Sequence, residues 1–189
     1  VEIASNDGYL LKNFVSCGIP VLGIEPAKNV AKAAEEVGVS TCVSFFGMIM
    51  AEELAAEGRR ADLIIGNNVL AHVPDLNDFV SGLEILLGPG GVITMEFPHL
   101  MRLMEDNQFD TIYHEHFSYF SLHTVMKVFA AHGLCVFDVE QLPTHGGSLR
   151  IYAAHEGESH ARKGNGLERV IEQEQRAGLD NLRSYISFH

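Results

Sequence analysis

Short apolar runs alternate with helix-spaced ones along most of the chain, and the alternation predicts strands and helices in turn. Val1–Ala4 is an apolar run closed by the turn formers Ser5-Asn6-Asp7-Gly8, a first strand. Leu10, Leu11, Phe14 and Val15 then sit at helical spacing, predicting a helix over Tyr9–Cys17 that Gly18 stops. The couplet repeats. A strand at Pro20–Ile24 leads to a helix capped by Asn29 and running to Val37. A β-branched strand at Ser40–Phe45 leads to a helix over Met48–Glu57, closed by Gly58. A strand at Asp62–Asn67 leads, past Pro74, to a helix that Asp75 caps and that carries Leu76, Phe79, Leu83 and Leu86. Gly88-Pro89-Gly90-Gly91 ends it, and Val92–Phe97 is a fifth strand. A polar segment follows, then a helix over Ser121–His132 and two strands, Leu134–Gln141 and Ser148–Ala154. Gly164–Tyr185 is charged and mostly helical.

Strands alternating with helices imply a mainly parallel sheet with helices on both faces. Only Leu142–Gly147 separates the last two strands, whereas parallel neighbours need a crossover of roughly a dozen residues. The closing pair is therefore antiparallel if adjacent. The predicted class is α/β and Rossmann-like, a mostly parallel seven-stranded sheet with an antiparallel last strand. That is the outline of the class I methyltransferase sheet; a nicotinamide-type domain carries a sixth parallel strand instead.

Composition narrows the partners. At 189 residues and 47% hydrophobic content, the chain can bury a single core. A formal net charge of -12 argues against a nucleic-acid backbone or an anionic membrane, while leaving room for a phosphorylated small molecule. Cys17, Cys42 and Cys135 lie in apolar stretches without a C-x-x-C, and read as buried free thiols in a reducing cytoplasm. No apolar run reaches the about 18 residues of a membrane span, and no signal peptide is visible. The opening Val1-Glu2-Ile3 lacks a Met and reads as a piece of a longer protein. Residues 1–160 read as one domain, and 161–189 as a helical linker into a missing C-terminal part.

Ligands of open α/β sheets bind outside the carboxyl ends of the strands. The turn Ser5-Asn6-Asp7-Gly8 lacks the full G-x-G-x-x-G that a pyrophosphate needs, but suits S-adenosylmethionine, which carries no phosphate. Ser5, Asn6 and the permissive Gly8 are the candidate contacts. Glu25, ending the second strand, is placed to accept from both ribose hydroxyls, or is a solvated strand-end acid. Asn67 and Asn68 close the fourth strand and reach a methionine tail or cap the loop. Phe46 walls an adenine or joins the core.

The most unusual segment is Phe109–Phe120, with two imidazoles, a carboxylate and two phenols between Tyr113 and Tyr119. His72, after the fourth strand, faces the same cleft in this topology; His99 and His145 are further candidates. His155, His160 and His189 read as surface residues. His114-Glu115-His116 is not H-E-x-x-H. A two-His metal site completed by His72 or His99 is the alternative, but acid–base work suits the cluster better and no metal is expected. An imidazole can remove a moderately acidic proton, a carboxylate can orient it, and a phenol can hold an enolate oxygen.

Five stretches together resemble the S-adenosylmethionine-dependent sugar C-methyltransferases that act on dTDP-4-keto-deoxysugars. They are Val1–Tyr9, Gly23-Ile24-Glu25-Pro26, Asn67–Val73, Thr111-Ile112-Tyr113-His114-Glu115-His116 and His145-Gly146-Gly147-Ser148-Leu149-Arg150. The resemblance implies C3 methylation through an enolate, with His116 as base and Tyr113, Glu115 and His72 orienting it and holding the oxyanion. It also implies an N-terminal cysteine-rich zinc module and a C-terminal sugar-nucleotide domain, both expected to lie outside this chain. Methylation of oxygen or nitrogen in another small molecule, and cofactor binding without turnover, remain the alternatives.

Overall fold

The computed structural model describes residues 1–158, 160 and 164–186. Within them, seven strands form one sheet: β1 (Glu2–Ile3), β2 (Gly23–Ile24), β3 (Thr41–Cys42), β4 (Ala61–Asn67), β5 (Leu87–Pro98), β6 (Leu134–Leu142) and β7 (Ser148–His155). Their order is β3-β2-β1-β4-β5-β7-β6. The first five are parallel, and β7 runs antiparallel to both β5 and β6. The chain steps outward from β1 to β3, then returns to place β4 on the other side of β1. That reversal opens a crevice beyond the carboxyl ends of β1 and β4.

Helices α1 (Leu11–Ser16), α2 (Lys28–Glu36), α3 (Met48–Ala56), α4 (Leu76–Leu86), α5 (Leu100–Glu105), α6 (Leu122–Ala131), α7 (Gly166–Arg176) and α8 (Leu182–Ile186) flank the sheet. The start of α4 follows from Asp75, whose Oδ1 accepts the Asp78 N–H at 3.0 Å. Its Phe79, Val80, Leu83 and Leu86 are buried against α3 and β5. Each such side chain contributes about 1.5–3 kcal/mol relative to exposure. Beneath them lie Ile93, Met95 and Phe97 of the central strand β5, all fully buried.

Several expectations need correction. Ala27, not Asn29, caps α2, because the Glu25 carboxylate takes the Ala27 N–H at 2.9 Å and sets the first turn two residues earlier. The Gly88–Gly91 stretch lies inside β5, which leaves α4 directly and bulges between the pairs Ala61↔Leu87 and Leu63↔Val92. The segment read only as polar contains α5. Cys17 and Cys135 are exposed and Cys42 half-buried. On β6 the period of two turns Leu134 and Val136 inward and Cys135 out.

The charged C-terminal segment is helical and packs back on the sheet. Leu167, Val170 and Glu174 of α7 are buried, and α7 lies on β6. Residues 161–163 and 187–189, hence both ends of the segment read as a linker and His189, lie outside the described residues. His155 and His160 are half-buried rather than free on the surface, His155 near Glu84 at 3.7 Å and His160 stacked on Phe137. Among the described residues, no helix is long and apolar enough to cross a membrane.

Candidate active site

The crevice holds an apolar cleft of about 530 Å³. Ile3 and Ala4 of the first turn floor it, Phe45, Phe46 and Phe79 wall one side, and His72 and Phe117 another. Such a volume suits a nucleoside-sized ligand. Phe46 packs edge-on against Phe79, with ring centroids 5.3 Å apart. It is thus held against the core while lining the cleft.

The polar residues divide into three positions. Asn6 and Glu25 face each other, the Asn6 N–H donating to Glu25 Oε2 at 3.2 Å, while their neighbours Ala4 and Pro26 line the cleft. Gly8 is not among the residues lining the cleft. With φ +76°, its place for a Cβ lies 3.0 Å from Val39, so the residue packs under the α2–β3 connection. Ser5 is likewise fully buried against Gly23. Asn67 sits in β4 opposite Glu96, whereas Asn68, left-handed at φ 54°, turns into a smaller pocket beyond.

Among the described residues, the buried atoms Glu2 Oε2, Ser5 Oγ and Asn68 Oδ1 have no hydrogen-bond partner, nor has His99 Nδ1 just past the end of β5. The first three lie on β1, on its turn and at the end of β4. Unpaired buried acceptors are costly, and a cationic amino-acid tail would satisfy them. Glu2 went unassigned in the sequence because an acid inside a short apolar run reads as strand alternation; on an interior strand both faces are covered.

Burial pushes Glu2 up from 4.5 to about 7, only partly offset by the amino terminus. Between those values the folded protein holds a proton that the unfolded chain has released, so stability falls as pH rises through that window. Thermal melts should show this loss, on the order of 1–2 kcal/mol, from pH 5 to 8. Glu2→Gln, which cannot ionise, should remove that part of the slope. An unchanged slope in the variant would discard Glu2 as its source.

The smaller pocket, about 170 Å³, is lined by Asn68, His72, Pro98, Tyr113, His116 and His145 among others. His72 borders both spaces. Its meeting with His116 follows from backbone pairing. The Phe117 N–H donates to the Ala71 carbonyl at 2.8 Å, pinning the segment after His116 to the turn Leu70–His72. The two imidazoles then lie 4.7 Å apart. A tight turn, His116 N–H to Tyr113 carbonyl at 3.0 Å, sets the Tyr113 and His116 rings side by side at 4.3 Å.

Hydrogen bonds fix the tautomer of His116. The Thr111 carbonyl can only accept, so Nδ1, 2.8 Å away, carries the proton. Nε2 is then the basic nitrogen and accepts the Tyr113 hydroxyl at 3.1 Å. With both nitrogens taken, the exposed Glu115 carboxylate does not orient His116; the Thr111 carbonyl does. Glu115 instead contributes its backbone carbonyl to His72. Burial first, and the neighbouring His116 second, hold His72 below the usual imidazole range. His114 is exposed, and His99 is buried on Glu174 at 2.8 Å. Among the described residues, no three His, Cys, Asp or Glu side chains are grouped to hold a metal.

Known proteins resemble this chain in sequence and in fold. A methyltransferase domain family model covers residues 1–139, and a C-methyltransferase C-terminal domain model covers 143–189. The C-methyltransferase NovU of Streptomyces niveus is 38% identical over 188 residues, which are 100% of this chain and 44% of that protein. The chain thus spans less than half the length of that relative. Among solved structures, the PH0226 protein from Pyrococcus horikoshii OT3 superposes with a TM-score of 0.65 at 16% identity, over 82% of this chain and 80% of its own. Magnesium protoporphyrin IX methyltransferase from Synechocystis PCC 6803, solved with bound SAM, gives 0.60 at 14% identity over 82% and 68%. At such identities the likeness shows the fold.

Proposed function

Because this chain belongs to the methyltransferase domain family, we propose that it binds S-adenosylmethionine and methylates carbon on a nucleotide-linked 4-keto-deoxysugar through an enolate. The carrying observation is His116, which lines the small pocket beside the cleft with Nδ1–H given to Thr111 and Nε2, bonded to the Tyr113 hydroxyl, left as its basic nitrogen. S-adenosylmethionine, when bound, supplies a sulfonium-activated methyl group. Phe46 and Phe45 would wall its adenine, Glu25 and Asn6 would flank its ribose, and Glu2 and Asn68 would accept from its amino-acid tail. The apolar wall excludes water from the methyl donor.

The chemistry assigned to this chain is proton removal. The 170 Å³ pocket is smaller than a typical ligand site of several hundred Å³, and admits the reacting end of a larger acceptor. His116 Nε2 takes the proton from the carbon beside the ketone, and Thr111 stabilises the resulting imidazolium. The phenol of Tyr113, displaced from Nε2 by the substrate, turns its O–H to the ketone oxygen. His72, held neutral by its surroundings, closes the wall between the two spaces without adding charge. Ser5 Oγ would accept from the same amino-acid tail as Glu2 and Asn68, and Gly8 supports the turn from beneath.

The test is where the methyl group goes. The protein, given methyl-labelled S-adenosylmethionine and dTDP-4-keto-6-deoxyglucose, should yield a product whose label lies on the carbon next to the ketone by NMR. Label on oxygen or nitrogen would overturn the carbon assignment and favour the heteroatom reading.

A further inference from the structure

The turn between β6 and β7 brings an imidazole to the small pocket that the chemistry above leaves unused. His145 lines the same 170 Å³ space as Tyr113, His116 and Asn68. Its side chain makes no hydrogen bond, ion pair or ring contact with any described residue. Its backbone is left-handed, φ 51° and ψ 39°, in a region that non-glycine residues seldom occupy and that clusters at functional sites.

The surrounding structure holds this conformation from several sides. Gln108 donates to the Gly146 carbonyl at 2.8 Å, and Ser148 donates to the Thr144 carbonyl at 3.0 Å. The Thr144 hydroxyl is fixed on Glu96 at 2.9 Å. At Gly147 a Cβ would meet the Arg102 side chain at 2.8 Å, so the turn lies flat on α5. A loop braced in this way holds the His145 backbone at the rim of the pocket, with the residue itself exposed.

We propose that His145 is a further catalytic residue, a second N–H donor to the acceptor's carbonyl oxygen alongside Tyr113. This rests on the keto-sugar reading. As the C–H bond breaks, its proton goes to His116 Nε2 and its electron pair forms the new C=C bond. The carbonyl π pair moves to oxygen. A single phenol leaves one lone-pair direction of that oxygen unmet, and His145 supplies a donor there without transferring a proton. Donors aimed at developing charge act mainly on the transition state.

The experiment follows exchange of the acceptor's C3 proton in deuterium oxide by NMR, without methyl donor, on the full chain with dTDP-4-keto-6-deoxyglucose. Loss of one oxyanion donor costs roughly 10²-fold or more in turnover. His145→Ala should therefore lower the exchange kcat about 10²-fold with KM within about threefold. His145→Gln, which restores an N–H donor, should recover at least about tenfold of that loss. Exchange by the alanine variant within threefold of wild type, or a glutamine variant no better than alanine, would overturn the assignment. Wild-type protein that exchanges nothing would instead sink the keto-sugar reading, and this inference with it.

Discussion

His116→Ala is expected to lower both C3-proton exchange and methyl transfer by about 10²–10⁴-fold, the usual contribution of a positioned general base. The reason is specific to the hydrogen bonds at the ring. Thr111 fixes the proton on Nδ1, so the one lone pair available for chemistry is at Nε2, where alanine leaves nothing. Tyr113→Phe removes the phenol O–H that turns from that lone pair to the ketone oxygen, and should cost about 10²-fold, the usual loss for one oxyanion donor. Binding of S-adenosylmethionine, measured by calorimetry, should be nearly unchanged in both variants, since neither residue lines the 530 Å³ cleft. Equal exchange rates in wild type and His116→Ala would remove His116 as base. A lost affinity for the methyl donor would show that the two spaces are not separate.

Much of the fold was legible because its helices and strands are set by local pattern. α4 is the clearest case: one aspartate at the cap and four apolar residues at helical spacing fix its start and its buried face. α5 was not legible for the converse reason. It is six residues long and buries only Met101 and Leu103, too few for a period to show. Its start is set by distant backbone, the Leu100 N–H on the Phe120 carbonyl and the His99 N–H on the Gly147 carbonyl. β1 to β3 pair over only two residues each, although the apolar runs predicting them are longer. The runs report burial, not ladder length.

The site was legible in its reactive side chains and illegible in what aims them. His72, Tyr113 and His116 stand out by residue type, and the structure brings all three to one pocket. Their juxtaposition depends on the Ala71 carbonyl and the Phe117 N–H, and their orientation on the Thr111 carbonyl. Every residue carries such groups, so no letter of the sequence marks them. Glu115 was the natural candidate for orienting the base because a carboxylate is visible in the sequence and a carbonyl is not. At Gly8 the sequence shows only a permissive residue; that Val39 and Ala34 fill the space a side chain would need is set by the fold.

The largest stability effect should come from Glu174, which looks in sequence like one more acid on a charged helix. It is 2% exposed, and its carboxylate accepts from His99 Nε2 at 2.8 Å, from the Leu122 N–H at 2.5 Å and from the His123 N–H at 2.9 Å. One side chain of α7 therefore caps α6 and ties both to the end of β5. Glu174→Ala leaves two first-turn N–H groups and an imidazole without their acceptor in a dry site. Breaking a buried pair by removing one partner costs about 3–5 kcal/mol, a large part of a domain's usual 5–15 kcal/mol. Glu174→Gln keeps the shape and one accepting oxygen, and should lose roughly half as much. Urea unfolding at pH 7 should show the midpoint falling in that order with the slope unchanged. A midpoint for Glu174→Ala equivalent to less than about 1 kcal/mol would mean that α7 does not dock on β6 in solution. The substitution would also loosen the anchor at Phe120, where the segment bearing Tyr113 and His116 rejoins the sheet, so catalysis and stability should fall together in this variant.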